Sequence, residues 1–219
     1  MNDRIEEIAI IGMSGAFPGA RNINELWELL NRKKDGVSTL TRSELISSGE
    51  KAEFVDNASY IPRCGFLDDA EFFDNDFFGM THAEALITDP QHRLFLSHSY
   101  LALADAGYTF EMLKVPVGVF AGQGVPRYWF YLKNGATVTG LDDFRMMIGN
   151  DKDFLSTRVS YKLNLKGPSV NIQTACSTSM TAVYHACQSL LTYGCDMALA
   201  GGVSVTAPRK KGYLYYEGM

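Results

Sequence analysis

Cysteine is scarce in this sequence, and its spacing excludes the commonest structural uses of the residue. The chain has four cysteines among 219 residues, at positions 64, 176, 187 and 195. No two of them have the spacing of a zinc-binding or redox pair, and no histidine follows at the distance of a zinc finger. We therefore expect neither a disulfide framework nor a metal site, and free thiols throughout.

The sequence also lacks an excess of positive charge and long apolar runs. Its 20 lysines and arginines against 25 aspartates and glutamates leave a net charge of −5, whereas nucleic acids and anionic membranes bind basic surfaces. The apolar stretch near the amino terminus is too short for a signal peptide, and no stretch is long enough to span a membrane. We therefore expect a cytoplasmic protein with no nucleic-acid or membrane partner.

What the sequence does contain is an alternation of short apolar runs with longer helical patterns, which predicts an α/β fold. Short runs closed by glycine favour strands, and apolar residues at three- and four-residue spacing favour helices. Residues 35–75 show neither period and are predicted to form an irregular excursion with short elements. The predicted strands are 7–12, 115–121, 168–175 and 197–205, and the predicted helices are 23–33, 91–106, 151–163 and one that begins at residue 176.

The last predicted helix brings a cysteine to a chemically favourable place. A buried strand leads into Cys176, which is predicted to lie in the first turn of the helix. Unpaired N–H groups and the helix dipole there favour an anion, so the thiolate should be stabilised. From these features alone, a nucleophile and a buried structural cysteine are equally good interpretations. The face of the helix predicted to be buried is the stripe Met180, Val183, Tyr184, Cys187, Leu190 and Leu191.

Several separated motifs of the sequence occur together in one known family. The central one is T-A-C-S-T-S at 174–179, and further matching segments lie in the same order at 8–15, 89–91, 104–108, 117–122, 149–150, 186–190 and 195–203. In this order they resemble the β-ketoacyl synthase family, and in particular the ketosynthase domains of modular polyketide synthases. The family's active-site run is T-A-C-S-S-S, so the resemblance implies that Cys176 is the catalytic nucleophile.

The resemblance implies a thiolase-like fold of αβαβα layers, in which two similar halves each contain a mixed five-stranded sheet. Residues 1–219 match the amino-terminal half of a single ketosynthase domain, and the carboxy-terminal half has no counterpart in this chain. The family also implies a homodimer whose contact includes the strand before Cys176, here 168–174. A second copy and the remaining half of the domain are therefore expected partners.

The same resemblance implies an acyltransferase that forms carbon–carbon bonds in polyketide or fatty acid biosynthesis. An acyl group passes from the phosphopantetheine thioester of an acyl carrier protein to Cys176. A malonyl-type thioester on a carrier protein then loses carbon dioxide, and its carbanion attacks the bound acyl group, so covalent catalysis divides one condensation into two transfers. No cofactor is expected to bind the chain directly, because the phosphopantetheine arm of the carrier protein brings the substrates.

Histidine is the main departure from the family pattern. The two catalytic histidines of the family lie well downstream of its cysteine, and none of the four histidines here matches their motifs. His185 follows Cys176 on the same helix, about 13 Å along the axis, and cannot reach the sulfur. His82, His92 and His98 are interpreted as structural. We therefore expect this chain alone not to condense, and the alternative is a decarboxylating or split, structural ketosynthase half that needs a partner chain.

Three positions bear on the choice of acyl substrate. The family usually has aspartate where this chain has Gln173, which leaves the substrate preference open. Met146 and Met147 lie where similar synthases have a loop that lines the acyl pocket of the second protomer, and a flexible methionine side chain suits a variable acyl chain. Core packing explains the two methionines equally well.

Overall fold

The computed structural model describes residues 7–134 and 143–218, and they form two compact units. One unit contains Glu71–Ser204 and the residues up to Ser14, and the other contains Gly15–Ala70 and the residues from Val205 onwards. The helices are α1 (Ile23–Asn31), α2 (Arg42–Ser47), α3 (Ala52–Val55), α4 (His82–Ile87), α5 (Pro90–Asp105), α6 (Tyr128–Asn134), α7 (Asp143–Asn150), α8 (Leu155–Lys162) and α9 (Thr178–Leu191). The strands are β1 (Ser38–Thr39), β2 (Tyr60–Ile61), β3 (Arg63–Cys64), β4 (Val117–Gln123), β5 (Ser169–Asn171), β6 (Met197–Val203) and β7 (Tyr213–Leu214).

A parallel sheet is the centre of the unit that contains Cys176. β4 lies in the middle and pairs in parallel with β5 on one side and with β6 on the other. Every residue of β4 is buried, as expected for a strand that helices cover on both faces. Within the described residues this sheet has three strands, with β5 and β6 at its edges, which is fewer than the five that the family resemblance implies.

Helices cover both faces of this sheet. Because side chains alternate along a strand, Val117 and Val119 of β4 face a cluster that includes residues of α5 and α8. Phe120 faces the opposite side and packs with Ala182 and Ala186 of α9. The result is a helix–sheet–helix arrangement, and the predicted α/β class is confirmed.

The buried face of α9 differs from the predicted apolar stripe. The buried residues are Ala182 and Ala186, whereas Met180 and Tyr184 of the stripe are 72% and 59% exposed. Small side chains let the helix backbone approach β4 and β6 closely, while larger ones would overfill a close-packed interior. The periodicity therefore predicted the helix correctly and its buried face wrongly.

The strand predicted at 7–12 is wrong. Residues 7–16 have no regular secondary structure, and Ile10 and Ile11 are 80% and 53% exposed. A strand requires a neighbour that exchanges hydrogen bonds with it, and no strand within residues 7–134 and 143–218 pairs with this segment. An apolar run without a partner strand stays extended and unpaired.

The unit that contains Gly15–Ala70 is built from short elements, as predicted for residues 35–75. β1 pairs with β3, and β2 pairs with β7, both antiparallel. Leu40, Leu45 and Tyr60 form its buried core. The Asn22 side chain accepts a hydrogen bond from the Glu25 N–H at 2.9 Å and caps α1. The helix begins at the predicted residue 23, but it ends two residues earlier than expected and buries none of its side chains.

Candidate active site

Cys176 lies in a short turn between β5 and α9. The 3₁₀ turn Ala175–Ser177 carries the cysteine, and α9 begins after it, so Cys176 precedes the α-helix, and its predicted place in the first helical turn is wrong. Ala175, the first residue of this turn, has a φ of 53°, which lies in the left-handed region that residues other than glycine rarely adopt. This conformation costs a non-glycine residue about 1–2 kcal/mol, and such strain clusters at functional sites.

Hydroxyl groups brace this turn. The Ser177 hydroxyl donates to the Thr174 carbonyl at 2.8 Å, and the Thr178 hydroxyl accepts from the Thr174 N–H at 3.0 Å. The Thr174 hydroxyl in turn donates to the Thr181 hydroxyl at 3.1 Å. The two bonds to the Thr174 backbone occupy groups that an irregular turn would otherwise leave unpaired. The residues of the T-A-C-S-T-S run therefore hold the turn in its strained form.

The middle strand approaches the cysteine turn most closely at Gly122. A Cβ atom there would collide with the Ile172 carbonyl oxygen and the Thr178 methyl group. Gly122 lies opposite Gly202 in the ladder between β4 and β6. The turn is therefore packed against the carboxyl ends of parallel strands, which is where open α/β sheets form their ligand sites.

Exposure separates Cys176 from the other three cysteines. Cys176 is exposed, Cys64 and Cys187 are half-buried, and Cys195 is buried. Cys195 lies 3.3 Å from the Ser189 hydroxyl and belongs to the core that Ala182 lines. All four thiols are free in this structure, and of the four only Cys176 is exposed.

The four histidines have structural surroundings. His98 Nδ1 hydrogen-bonds to the Ser14 hydroxyl at 2.8 Å, and the His185 ring packs against the Tyr184 ring with the centroids 5.4 Å apart. His82 begins α4, and His92 is buried in α5. Within the described part of the chain, none of these imidazoles is hydrogen-bonded to Cys176.

A buried polar network lies at the carboxyl end of β4. His92 Nδ1 accepts from Arg158 Nε at 3.2 Å, so the neutral ring carries its proton on Nε2. The Gln123 side chain faces this ring, and its Nε2 donates to the Asn150 carbonyl at 3.3 Å. His92 Nε2 and Gln123 Oε1 are both buried, and neither makes a hydrogen bond within the described part of the chain.

Burial moves two pKa values at this network in opposite directions. Burial, reinforced by the positive charge of Arg158, lowers the pKa of His92 to about 3. Burial raises the pKa of Asp89 to about 6, against the hydrogen bond that its carboxylate accepts from the Gln91 N–H. The His92 ring is therefore neutral at pH 7.

These shifts predict how the His92→Gln variant responds to acid. In the wild-type protein, the unfolded chain binds a proton at His92 below about pH 6.5, whereas the folded chain does not until about pH 3. The free energy of unfolding therefore falls as the pH is lowered through this range, by up to about 1.4 kcal/mol per pH unit from this group. The variant should lose less stability on acidification than the wild type. Denaturant unfolding at several pH values measures the difference.

Asp89→Asn is the matched variant with the opposite sign. Folded Asp89 retains a proton between about pH 4 and pH 6 that the unfolded chain releases, so this group adds stability on acidification. Its removal should make the protein lose more stability than the wild type over the same range. Parallel curves for wild type, His92→Gln and Asp89→Asn would contradict both assignments.

Met146 and Met147, the predicted acyl-pocket residues, lie in α7. Met146 is buried and Met147 is half-buried. The Met146 carbonyl accepts from Asn150 Nδ2 at 2.8 Å, so the helix that carries both methionines belongs to the network around Gln123. A role of either side chain in an acyl pocket stays a prediction.

Gln123, Arg158 and Asn150 have no role predicted from the sequence, although Asn150 lies in the matching segment 149–150. The available signal was the position of Gln123, a polar residue that ends a strand whose other members are apolar or glycine. A buried polar residue must find hydrogen-bond partners, so a glutamine at the end of a buried strand predicts a network whose members the sequence does not identify.

No group of three or more histidines, cysteines, aspartates or glutamates within residues 7–134 and 143–218 could hold a metal ion. None of the helices found there is long and apolar enough to cross a membrane.

The site belongs to an α/β fold in which a strained turn presents the exposed Cys176. Comparisons with known proteins identify the family. The model of the beta-ketoacyl synthase N-terminal domain matches residues 5–218. A phenolphthiocerol/phthiocerol polyketide synthase of Mycobacterium tuberculosis is 41% identical over an alignment 219 residues long, which covers 96% of this chain and 15% of that protein. The polyketide synthase PksL of Bacillus subtilis is 37% identical over 209 residues, which cover 94% of this chain and 4% of that protein.

A solved structure agrees with these matches. Ketosynthase twelve of the bacillaene polyketide synthase from Bacillus amyloliquefaciens superposes with a TM-score of 0.85 at 32% identity, over 96% of this chain and 37% of that one. The chain therefore belongs to the beta-ketoacyl synthase family, as the amino-terminal part of a ketosynthase domain of the polyketide synthase type with a thiolase-like fold. It spans less than two thirds of each of these relatives.

Proposed function

We propose that Cys176 accepts an acyl group from the phosphopantetheine thioester of an acyl carrier protein, as the first half of a decarboxylative Claisen condensation. The observation that carries the proposal is the exposed thiol of Cys176. It lies at the carboxyl ends of parallel strands, in a hydrogen-bonded turn that begins with the left-handed Ala175. The Cys176 thiolate attacks the thioester carbonyl carbon. The tetrahedral oxyanion then expels the phosphopantetheine thiolate, which takes up a proton, and the acyl group stays on the cysteine sulfur.

The surroundings of the sulfur support this step. The neighbours Ala175, Ser177 and Ser179 are small and exposed, so a thioester reaches the sulfur without steric hindrance. Backbone N–H groups ahead of α9, which is 14 residues long, favour negative charge. The N–H of Cys176 is our proposed donor to the oxyanion, and a second donor is expected from outside this chain.

The second half-reaction joins the acyl group to a malonyl-type unit. The malonyl thioester loses carbon dioxide, its carbanion attacks the acyl carbonyl on Cys176, and the Cys176 thiolate leaves as the new carbon–carbon bond forms. Negative charge builds on the malonyl thioester oxygen, and preorganised donors must face it. His92 is buried and His98 is bonded to Ser14, so we propose that the remaining part of the ketosynthase domain supplies these donors.

The proposal includes an assembly and a compartment. β5 is an edge strand of the described sheet, and antiparallel pairing of residues 168–174 with a second copy would cover that edge in a homodimer. The free state of all four thiols supports a reducing, cytoplasmic setting.

Acyl labelling tests the function directly on this chain. After incubation with an acyl-pantetheine thioester, peptide mass mapping should find the acyl group on Cys176 in preference to the other three cysteines, because they are half-buried or buried. The Cys176→Ala variant is the control and should stay unlabelled. A label on Cys64, Cys187 or Cys195, with Cys176 unmodified, would show that the nucleophile is assigned wrongly.

A further inference from the structure

A side chain continues the pairing of two strands where their backbones stop pairing. β5 pairs with β4 up to Asn171, and the Ile172 N–H donates to the Ala121 carbonyl at 2.8 Å. At the next residue, Gln173, the side-chain amide and not the backbone makes the hydrogen bonds to β4. In the orientation that satisfies both of its ends, its Nε2 donates to the Gln123 carbonyl at 3.0 Å, and its Oε1 accepts from the Gln123 N–H at 3.2 Å.

We propose that Gln173 is a positioning residue for Cys176: its side-chain amide docks on both backbone groups of Gln123 and thereby fixes the start of the cysteine turn. The contact resembles the hydrogen-bonded residue pair of an antiparallel ladder, in which each residue offers one donor and one acceptor to the other. Thr174, the next residue, starts the hydroxyl bonds of the turn. This inference rests on the proposed function, since it concerns the rate at which Cys176 receives its acyl group.

The group on which Gln173 docks is itself held rigidly. Gln123 is only 6% exposed, and its Nε2 donates to the Asn150 carbonyl at 3.3 Å. The Asn150 side chain in turn donates to the carbonyls of Ile87 and Met146, both at 2.8 Å. Because Gln123 is held in place, the Gln173 side chain that binds it is held in place as well. A reactive group keeps its productive geometry only when the residues around it are fixed in this way.

Only an amide of this length satisfies the contact. A glutamine offers one donor and one acceptor side by side, which match the carbonyl and the N–H of Gln123. An ionised carboxylate offers acceptors alone, so one of its oxygens would face the Gln123 carbonyl oxygen without a proton between them. Gln173→Glu therefore keeps the size and shape of the side chain and removes just the donor.

The test measures acyl transfer from an acyl-pantetheine thioester to Cys176 over a range of thioester concentrations. In Gln173→Glu and Gln173→Ala the maximal acylation rate should fall roughly 10- to 100-fold, the cost of a small misplacement of a reacting group. The half-saturating concentration should change by less than about two-fold, and the final fraction of labelled protein should equal that of the wild type. A loss of folded protein would lower that final fraction instead of the rate.

Gln188→Glu is the matched control, because Gln188 is a residue of α9 outside the cysteine turn and the substitution adds the same charge; it should acylate at the wild-type rate. If Gln173→Glu acylates as fast as the wild type, the positioning role is wrong even though the proposed function stands. If the wild-type protein does not acylate Cys176, the proposed function and this inference both fail.

Discussion

The Cys176→Ala variant of the complete ketosynthase domain should form β-ketoacyl product on the order of 10⁴-fold more slowly than the wild type, or not at all. Condensation needs a covalent acyl intermediate, and alanine has no nucleophile to carry it. Cys187, the nearest cysteine in sequence, is half-buried and Cys195 is buried, so neither can replace Cys176. The assay follows carbon dioxide release and product formation from a malonyl carrier protein.

Cys187→Ala is the control for loss of a thiol. It removes a half-buried sulfur from α9 and should retain at least about half of the wild-type rate, because the cost of a truncation at a partly exposed position is mainly a modest loss of stability. Product formation by Cys176→Ala at the rate of Cys187→Ala would refute the role of Cys176. The 219-residue chain by itself should accept an acyl group without condensing, because no histidine of this chain is placed to stabilise decarboxylation.

Gly122→Ala should lower the free energy of unfolding by about 3 kcal/mol, at the upper end of what an overpacked core costs. The added methyl group would meet the Ile172 carbonyl oxygen and the Thr178 methyl group. Ile172 precedes the docking residue Gln173, and Thr178 braces the cysteine turn, so acylation of Cys176 should slow as well. Denaturant unfolding gives the first effect, and the labelling rate of the folded protein gives the second.

Gly202→Ala is the control, since Gly202 lies directly opposite Gly122 in the ladder. A Cβ atom at Gly202 would have the Ser179 Cβ at 3.4 Å as its nearest neighbour, which is an ordinary van der Waals contact. Its effect should stay below about 1 kcal/mol. If the two variants lost the same stability, any side chain added to these strands would have that cost. The closeness of β4 to the cysteine turn would then not explain the effect.

Much of the fold could be predicted from local patterns. The observed bounds of α5 lie within one residue of the predicted helix, and β4 and β6 lie within two residues of the predicted strands. The predictions failed where a partner decides the outcome. Residues 7–12 have the composition of a strand and no described strand to pair with, and α9 turns its alanines rather than its larger apolar residues towards the sheet.

The family could be assigned from the sequence alone, and Cys176 could be predicted as its nucleophile, because it lies in a short run of residue types that is readable without a structure. Only the tertiary structure showed the left-handed Ala175, the close approach at Gly122, and the contact of Gln173 with Gln123. The physical reason is that a motif records contacts between neighbours in sequence. The amide of Gln173 meets a backbone 50 residues away, and that meeting depends on how β4 and β5 pair and on the buried network that holds Gln123 in place.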